Sequence, residues 1–386
     1  MQTTGHSARW LNSLSSLNKY ALFVFAMSIA LLSPRLGVPR GSVLDESHYV
    51  SGAKALYHKS PGLWHGVPDT NLEHPPLGKY LIGLGIEFLG DNSVGWRVAS
   101  VLFGSLTLMV IFIWISNIAD PFTAWVAVVL VLTNGFWFVM SRVAMLSIFE
   151  LCFCVTGFYF LSKDKPVWSG LFLGLASACR WNAVFAIALI VAWLTLRKNP
   201  QLKKAVQIGL SSFASYTIAF LPAVKFSVPD FVRAQAFIFH YHRHFVGNAE
   251  IAQRWYSWPI RNEPEFCLNC LLGNRVTILL GVIAIIFLLA RSRHRLLAFV
   301  PIVFWLQWEV TGRTFQYYYY FLDSIVFLSI AAALMLGEAR SRVKWFPAAC
   351  VSVSVLWFVL YYPYFTYWST PWDPVLNYFL LNYIHF

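Results

Sequence analysis

Long apolar runs separated by short polar joints dominate the chain. Runs over 20–36, 94–117, 122–140, 143–162, 166–180, 182–197, 205–224, 276–290, 297–310, 315–337 and 345–363 recur along it. A helix needs about 20 apolar residues to cross the hydrocarbon layer, and fewer where flanking side chains snorkel. The pattern predicts an all-α polytopic membrane protein with about eleven transmembrane helices. Two polar stretches interrupt the series, 37–93 and 225–275. The first residues are polar and basic, and no small-residue cleavage site follows Leu32, so the first span reads as an uncleaved helix. No repeat and no separate soluble segment is visible, so residues 1–386 read as one transmembrane unit.

Composition sharpens this. Only 12% of the 386 residues are charged, against 58% hydrophobic, where a soluble domain carries roughly a quarter charged residues. A soluble enzyme and a disordered chain are both excluded. The net charge of +12 is explained by basic membrane loops, and no nucleic-acid-binding motif is present. With the N-terminus in the cytoplasm, the inner joints hold Arg9, Lys19, Lys163, Lys165, Arg197, Lys198, Lys203, Lys204, Arg291, Arg293, Arg295, Arg340, Arg342 and Lys344, against the acids Asp120, Asp164 and Glu338. Positive-inside is obeyed in this orientation. Both long polar stretches and nearly all the acids then face outward, so chemistry that needs carboxylates is expected on the extracytoplasmic side. Cys152, Cys154, Cys179 and Cys350 lie in apolar runs and read as small buried hydrophobes. Cys267 and Cys270 form a lone C-x-x-C that could close a local disulfide if its loop is extracytoplasmic.

The first outer stretch carries the candidate chemistry. After Leu44 comes Asp45-Glu46-Ser47-His48-Tyr49, and Val50, Ala53, Leu56 and Tyr57 recur at helical spacing. That predicts an amphipathic surface helix. Its acidic pair is read either as an ordinary helix-start charge or as a reacting group. Glu73-His74-Pro75-Pro76-Leu77-Gly78-Lys79 follows: the prolines force extended backbone and then permit a second surface helix, 77–89. Arg97 enters an apolar run, where a charge is costly and usually functional; interface snorkelling is the plainer reading.

Taken together, Asp45-Glu46-x-His48-Tyr49, the string His74 to Lys79, and Arg97-Val98-Ala99-Ser100 with Phe103-Gly104 resemble the protein O-mannosyltransferases. Weaker matches follow in order: Ser141 to Leu146, Arg180-Trp181-Asn182, Tyr256 to Pro259, Leu272-Gly273-Asn274, and Arg313-Thr314-Phe315 with the tyrosines 317–320. Ser147 stands where the family often has Asp, and Arg180 where it often has Lys. The second outer stretch is too short for the β-trefoil insert of the eukaryotic enzymes, which points to a bacterial-type relative. The resemblance implies the glycosyltransferase type C fold, a polyprenyl-phosphate sugar as donor, mannose as the expected sugar, no metal and no cofactor.

Such a transfer needs a base for the acceptor hydroxyl, cations for the departing phosphate, and a cleft open to lipid. One carboxylate suffices for inverting single displacement, because phosphate leaves without an acid. The resemblance assigns Asp45 as base, with Glu46 orienting it or binding the acceptor. Lys79, His74, Arg97, Arg142, Arg180 and Arg313 are the candidates for the donor phosphate. His48, His242, Trp258 and Tyr318 are candidates for lining the sugar or acceptor site. The run His240-Tyr241-His242-Arg243-His244 would put three His on one face of a strand; a metal site, active-site lining and a basic surface loop are its alternatives. Trp and Tyr in 255–258 and 361–372 read as an aromatic belt. The favoured acceptor is Ser or Thr of a translocated protein. A lipid or envelope glycan is the close alternative, and a lipid or solute transporter is the alternative of another class. Partners are therefore the lipid-linked sugar, the acceptor and membrane lipids, without nucleic acid.

Overall fold

The structure, a computed structural model, describes residues 4–58, 70–247, 254–259, 271–291 and 294–368. The Cys267–Cys270 pair and Trp372 of the aromatic stretch lie outside these. The apolar runs fold into helices: α1 Thr4–Leu32, α4 Ser93–Ile118, α5 Pro121–Leu132, α6 Gly135–Met140, α7 Leu146–Ser162, α8 Pro166–Cys179, α9 Ala183–Leu196, α10 Leu202–Phe220, α12 Arg275–Arg291, α13 Arg295–Val310, α14 Leu322–Ala339 and α15 Trp345–Phe365. The outer stretches supply α2 Glu46–His58, α3 Leu77–Leu89 and α11 Val228–Arg243. Among the described residues, four helical segments are long and apolar enough to cross a membrane alone: Ser93–Ile118, Leu202–Val224, Tyr318–Ala339 and Trp345–Phe365. Six shorter apolar helices accompany them.

Local chemistry sets the breaks. The Asn92 side chain accepts from the Val94 and Gly95 N–H groups and starts α4. Asp120 caps α5, with Pro121 next to it in the first turn. The expected single span 122–140 is instead two helices. Asn134 accepts from the Phe136 N–H at 3.1 Å and begins α6 afresh, because a side chain that competes for backbone donors favours a new cap over a continued ladder. The two surface helices form where the pattern placed them, and α3 ends at Leu89 as expected.

The core is centred on α14, whose residues Leu322 to Leu336 are all buried. Helices α5, α12, α13 and α15 pack around it, while α7, α8 and α10 form a neighbouring layer. The outer faces of α10 and α15 expose Leu210, Phe213, Ile218, Val359 and Leu360, which suits contact with lipid chains. Between α8 and α10 the approach is very close. A Cβ on Gly170 would meet the Ile208 carbonyl oxygen at 2.5 Å, and one on Gly174 would meet that of Ser212 at 2.1 Å. Small residues four apart let the two backbones touch where no hydrophobic force separates helix from lipid. Cys152, Cys154 and Cys179 are buried and Cys350 is half-buried, as their apolar runs implied.

Candidate active site

Arg97 organises the first outer stretch. All five guanidinium N–H donors are used. Nε and Nη2 hold the two Glu46 carboxylate oxygens at 2.8 Å each. Nη1 donates to the Leu36 and Pro39 carbonyls at 3.0 Å, and Nη2 to that of Gly41 at 2.9 Å. Glu46 in turn accepts from the Val43 N–H at 2.8 Å and the Ala144 N–H at 2.7 Å. This forked, buried pair ties residues 36–46 to the tops of α4 and α7. It holds Leu44 at φ +54°, a left-handed conformation that a bulky residue adopts only where its surroundings impose it. Asp45 comes next.

Asp45 stands at the start of α2, where its carbonyl accepts from the His48 and Tyr49 N–H groups. Its carboxylate turns away from the helix and accepts from the Tyr319 hydroxyl at 2.6 Å. It lines a cavity of about 820 Å³, together with His48, His74, Arg180, His242, Arg313 and Tyr320. The residue after Tyr319 connects the cations. Arg313 Nη2 donates to the Tyr320 hydroxyl at 2.8 Å, and the Arg180 guanidinium lies 4.9 Å from the centre of the Tyr320 ring. Arg180 also donates to Ser147 Oγ at 3.0 Å. Val184, Phe185, Phe239 and Val310 supply apolar wall.

His242 and His74 are uncharged donors and acceptors here. His242 Nδ1 is 2.9 Å from Arg313 Nη1, and its Nε2 is 2.9 Å from the Glu73 carbonyl. Arg313 can only donate, so Nδ1 accepts and Nε2–H donates. Burial, then the Arg313 charge, pushes His242 down to about 4. Burial also lowers His74 well below the ordinary histidine range, with His242 and Arg180 adding to it. Its ring lies 5.5 Å from Tyr49 and 5.2 Å from His242, centre to centre. Burial, reinforced by Asp45, raises the Tyr49 hydroxyl.

Several sequence expectations change. All the Arg97 donors are engaged and Glu46 is committed to Arg97 and backbone, so both side chains lie in the scaffold behind Asp45 and outside the cavity lining. Lys79 is buried and donates to the Asn71 and His74 carbonyls at 2.5 and 2.9 Å, which fixes the His74 corner instead of facing the cavity. Arg142 is buried outside the cavity wall, donating to the Leu32 carbonyl and lying over Phe138. Trp258 packs against Trp308 and Phe321, and Tyr318 against Phe136. Both are buried and outside the cavity lining. The His run is helical, not extended: the His240 and His244 rings lie 4.2 Å apart, tilted by 35°, while His242 faces the cavity. Tyr319 and Tyr320, unremarked within a run of four tyrosines, are the residues that join carboxylate to cations.

An all-helical bundle, among the described residues, with an apolar exterior and a charged cleft beneath short amphipathic helices is the glycosyltransferase type C fold. Two solved structures share it. The structure of ArnT from Cupriavidus metallidurans bound to undecaprenyl phosphate aligns over 92% of this chain and 65% of its own, with TM-score 0.61 and 15% identity. The oligosaccharyltransferase of Archaeoglobus fulgidus aligns over 92% and 55%, with TM-score 0.54 and 13% identity.

The sequence narrows this further. Residues 73–224 match the family described as dolichyl-phosphate-mannose-protein mannosyltransferase. A polyprenol-phosphate-mannose–protein mannosyltransferase of Mycobacterium tuberculosis is 26% identical over 302 residues, 58% of this chain and 57% of the relative. One from Corynebacterium glutamicum is 28% identical over 182 residues, 38% of this chain and 35% of the relative. An undecaprenyl phosphate-alpha-4-amino-4-deoxy-L-arabinose arabinosyl transferase of Pseudomonas savastanoi is 25% identical over 274 residues, 62% and 47% of the two chains. The chain thus spans little more than half the length of the Mycobacterium relative and less than half of the other two. The resemblance to the protein mannosyltransferases is matched by the family model, which includes the His74–Lys79 string, and by these sequence relatives; the solved structures share the fold.

Proposed function

We propose that this chain transfers a sugar from a polyprenyl phosphate to a hydroxyl acceptor on the extracytoplasmic face. The observation that carries the reading is one cavity lined by the Asp45 carboxylate and by the Arg180 and Arg313 guanidiniums, joined through Tyr319 and Tyr320; Glu73, which also borders it, accepts from the Asn71 side chain. The acceptor O–H gives its proton to Asp45 as its oxygen bonds to the anomeric carbon. The carbon–oxygen bond to phosphate breaks on the opposite face, and the electron pair leaves on the phosphate, giving inversion. Arg180 and Arg313 meet the charge that develops there, so the reading needs no metal. The apolar wall at Val184, Phe185 and Val310 suits the first isoprene units of the donor. Mannose as the sugar and a protein as the acceptor are favoured by the names of the mannosyltransferase relatives, and Ser or Thr of a translocated protein is the acceptor hydroxyl in this reading. The arabinosyltransferase relative favours, as second reading, another sugar on the same kind of donor lipid, with a lipid or envelope glycan as acceptor in place of a protein.

The test is transfer of radiolabelled sugar from polyprenyl-phosphate mannose to a Ser/Thr peptide in proteoliposomes, with envelope glycolipid as the competing acceptor. Asp45→Asn is expected to lose about 10²–10⁴-fold in turnover with its fold retained. Full activity in that variant refutes the base, and label confined to glycolipid moves the acceptor to the second reading.

A further inference from the structure

Behind the cavity wall, two carboxylic side chains are buried with no role in the transfer described above: Glu150 on α7 and Asp323 at the start of α14. They come from different helices and face each other within hydrogen-bonding reach. Neither Glu150 oxygen has a donor from the described protein groups, nor has Asp323 Oδ1. Asp323 Oδ2 is 3.5 Å from the Asn182 side-chain nitrogen. A hydrogen bond between two carboxyl groups exists only when one of them carries a proton, and two bare carboxylates at such range in apolar surroundings repel strongly. The cation facing the pair is Arg180, for which Glu150 and Asp323 are the principal opposite charges. The remaining titratable neighbours, Cys154 and Cys179, are thiols in the same apolar layer. The other side of Arg180 borders the cavity, against the Tyr320 and Trp308 rings at 4.9 and 5.8 Å.

We propose that Glu150 and Asp323 share one proton, and that the single negative charge they retain anchors Arg180 in the cavity wall and limits its hold on the lipid phosphate. One retained charge against one guanidinium makes the buried group neutral, the arrangement a low-dielectric interior tolerates. It also leaves Arg180 able to meet a phosphate without trapping it, which a carrier lipid that must depart after transfer requires. Glu150 and Asp323 are then positioning residues, acting through Arg180. This rests on the reading of the cavity as a polyprenyl-phosphate site.

The single variants Glu150→Gln and Asp323→Asn each replace the shared proton by an amide donor and keep the charge. The double variant removes the charge altogether. Binding of undecaprenyl phosphate to the full chain in detergent is expected to stay within about threefold of the parent in each single variant. In the double variant it is expected to tighten by about tenfold or more, since a counter-charge behind the guanidinium is gone. Infrared difference spectra provide a measurement independent of the lipid: the carbonyl stretch of a buried protonated carboxylic acid should be present in the parent and absent from both single variants. Tightening in each single variant, weaker binding in the double variant, or an acid band that survives in both singles overturns the inference. If the double variant does not fold, the two single variants and the band decide it. If the parent binds no undecaprenyl phosphate, the donor reading fails and the lipid half of this inference fails with it, while the band still decides the shared proton.

Discussion

Replacing Arg97 separates a scaffold residue from a phosphate ligand. In Arg97→Met the Glu46 carboxylate stays buried with only the Val43 and Ala144 N–H groups, and the Leu36, Pro39 and Gly41 carbonyls lose their donors. Breaking a buried pair on one side costs about 3–5 kcal/mol, because the remaining charge is left uncompensated. Arg97→Lys is expected to recover little of this, since three donors on a flexible stem cannot reproduce a planar five-donor fork. In Glu46→Gln/Arg97→Met no charge remains buried at the site, so the double variant should lose less than the two single losses added together. The assay is thermal unfolding in detergent for the parent, both single variants and the double. It is paired with the donor KM of whatever fraction stays folded at low temperature. Scaffold behaviour means a large fall in midpoint and a reduced kcat from a displaced Asp45, with the donor KM little changed. A parent-like midpoint together with a donor KM raised tenfold or more would show that Arg97 touches the phosphate and would refute the scaffold argument.

Tyr319→Phe removes the one side-chain donor assigned to Asp45; hydrogen bonds to charged groups contribute about 1.5–3 kcal/mol, so kcat should fall roughly tenfold or more, and an unchanged kcat would remove Tyr319 from the site. His242 is pushed down to about 4 from an ordinary 6.5, so the unfolded chain binds its proton first as pH falls; stability should therefore be full above pH 6.5 and decline toward pH 4. Denaturant titrations of the parent and of His242→Asn should show a shallower decline in the variant, and equal slopes would contradict the assignment. On α8, Gly174→Ala brings a Cβ to 2.1 Å from the Ser212 carbonyl oxygen and should cost about 1–3 kcal/mol. Gly209→Ala on α10 meets nothing within 4 Å and should stabilise by about 0.5–1 kcal/mol; thermal melts of the pair check both signs.

What the sequence determined by itself was local or one-dimensional. A run of apolar residues must leave water wherever the rest of the chain goes, so the helical, membrane-embedded character was legible from the hydropathy pattern. The surface helices α2 and α3 were legible too, because proline placement and helical spacing act within a few residues. The motif order pointed to Asp45 in the same way. Partner choice was decided only in three dimensions. Asp45 and Glu46 are neighbours in sequence, yet successive residues at a helix start leave the backbone about 100° apart. One carboxylate therefore enters the cavity and the other enters the core. A buried arginine can be satisfied by a phosphate, a carboxylate or loop carbonyls, and its sequence looks the same in each case; Arg97 took the Glu46 carboxylate and loop carbonyls and Arg142 the Leu32 carbonyl, while Arg180 and Arg313 reached the cavity. In the four-tyrosine run each ring has the same chemistry. Only the tight turn before α14 sends Tyr319 to Asp45, 274 positions earlier in the chain, and buries Tyr318 against Phe136.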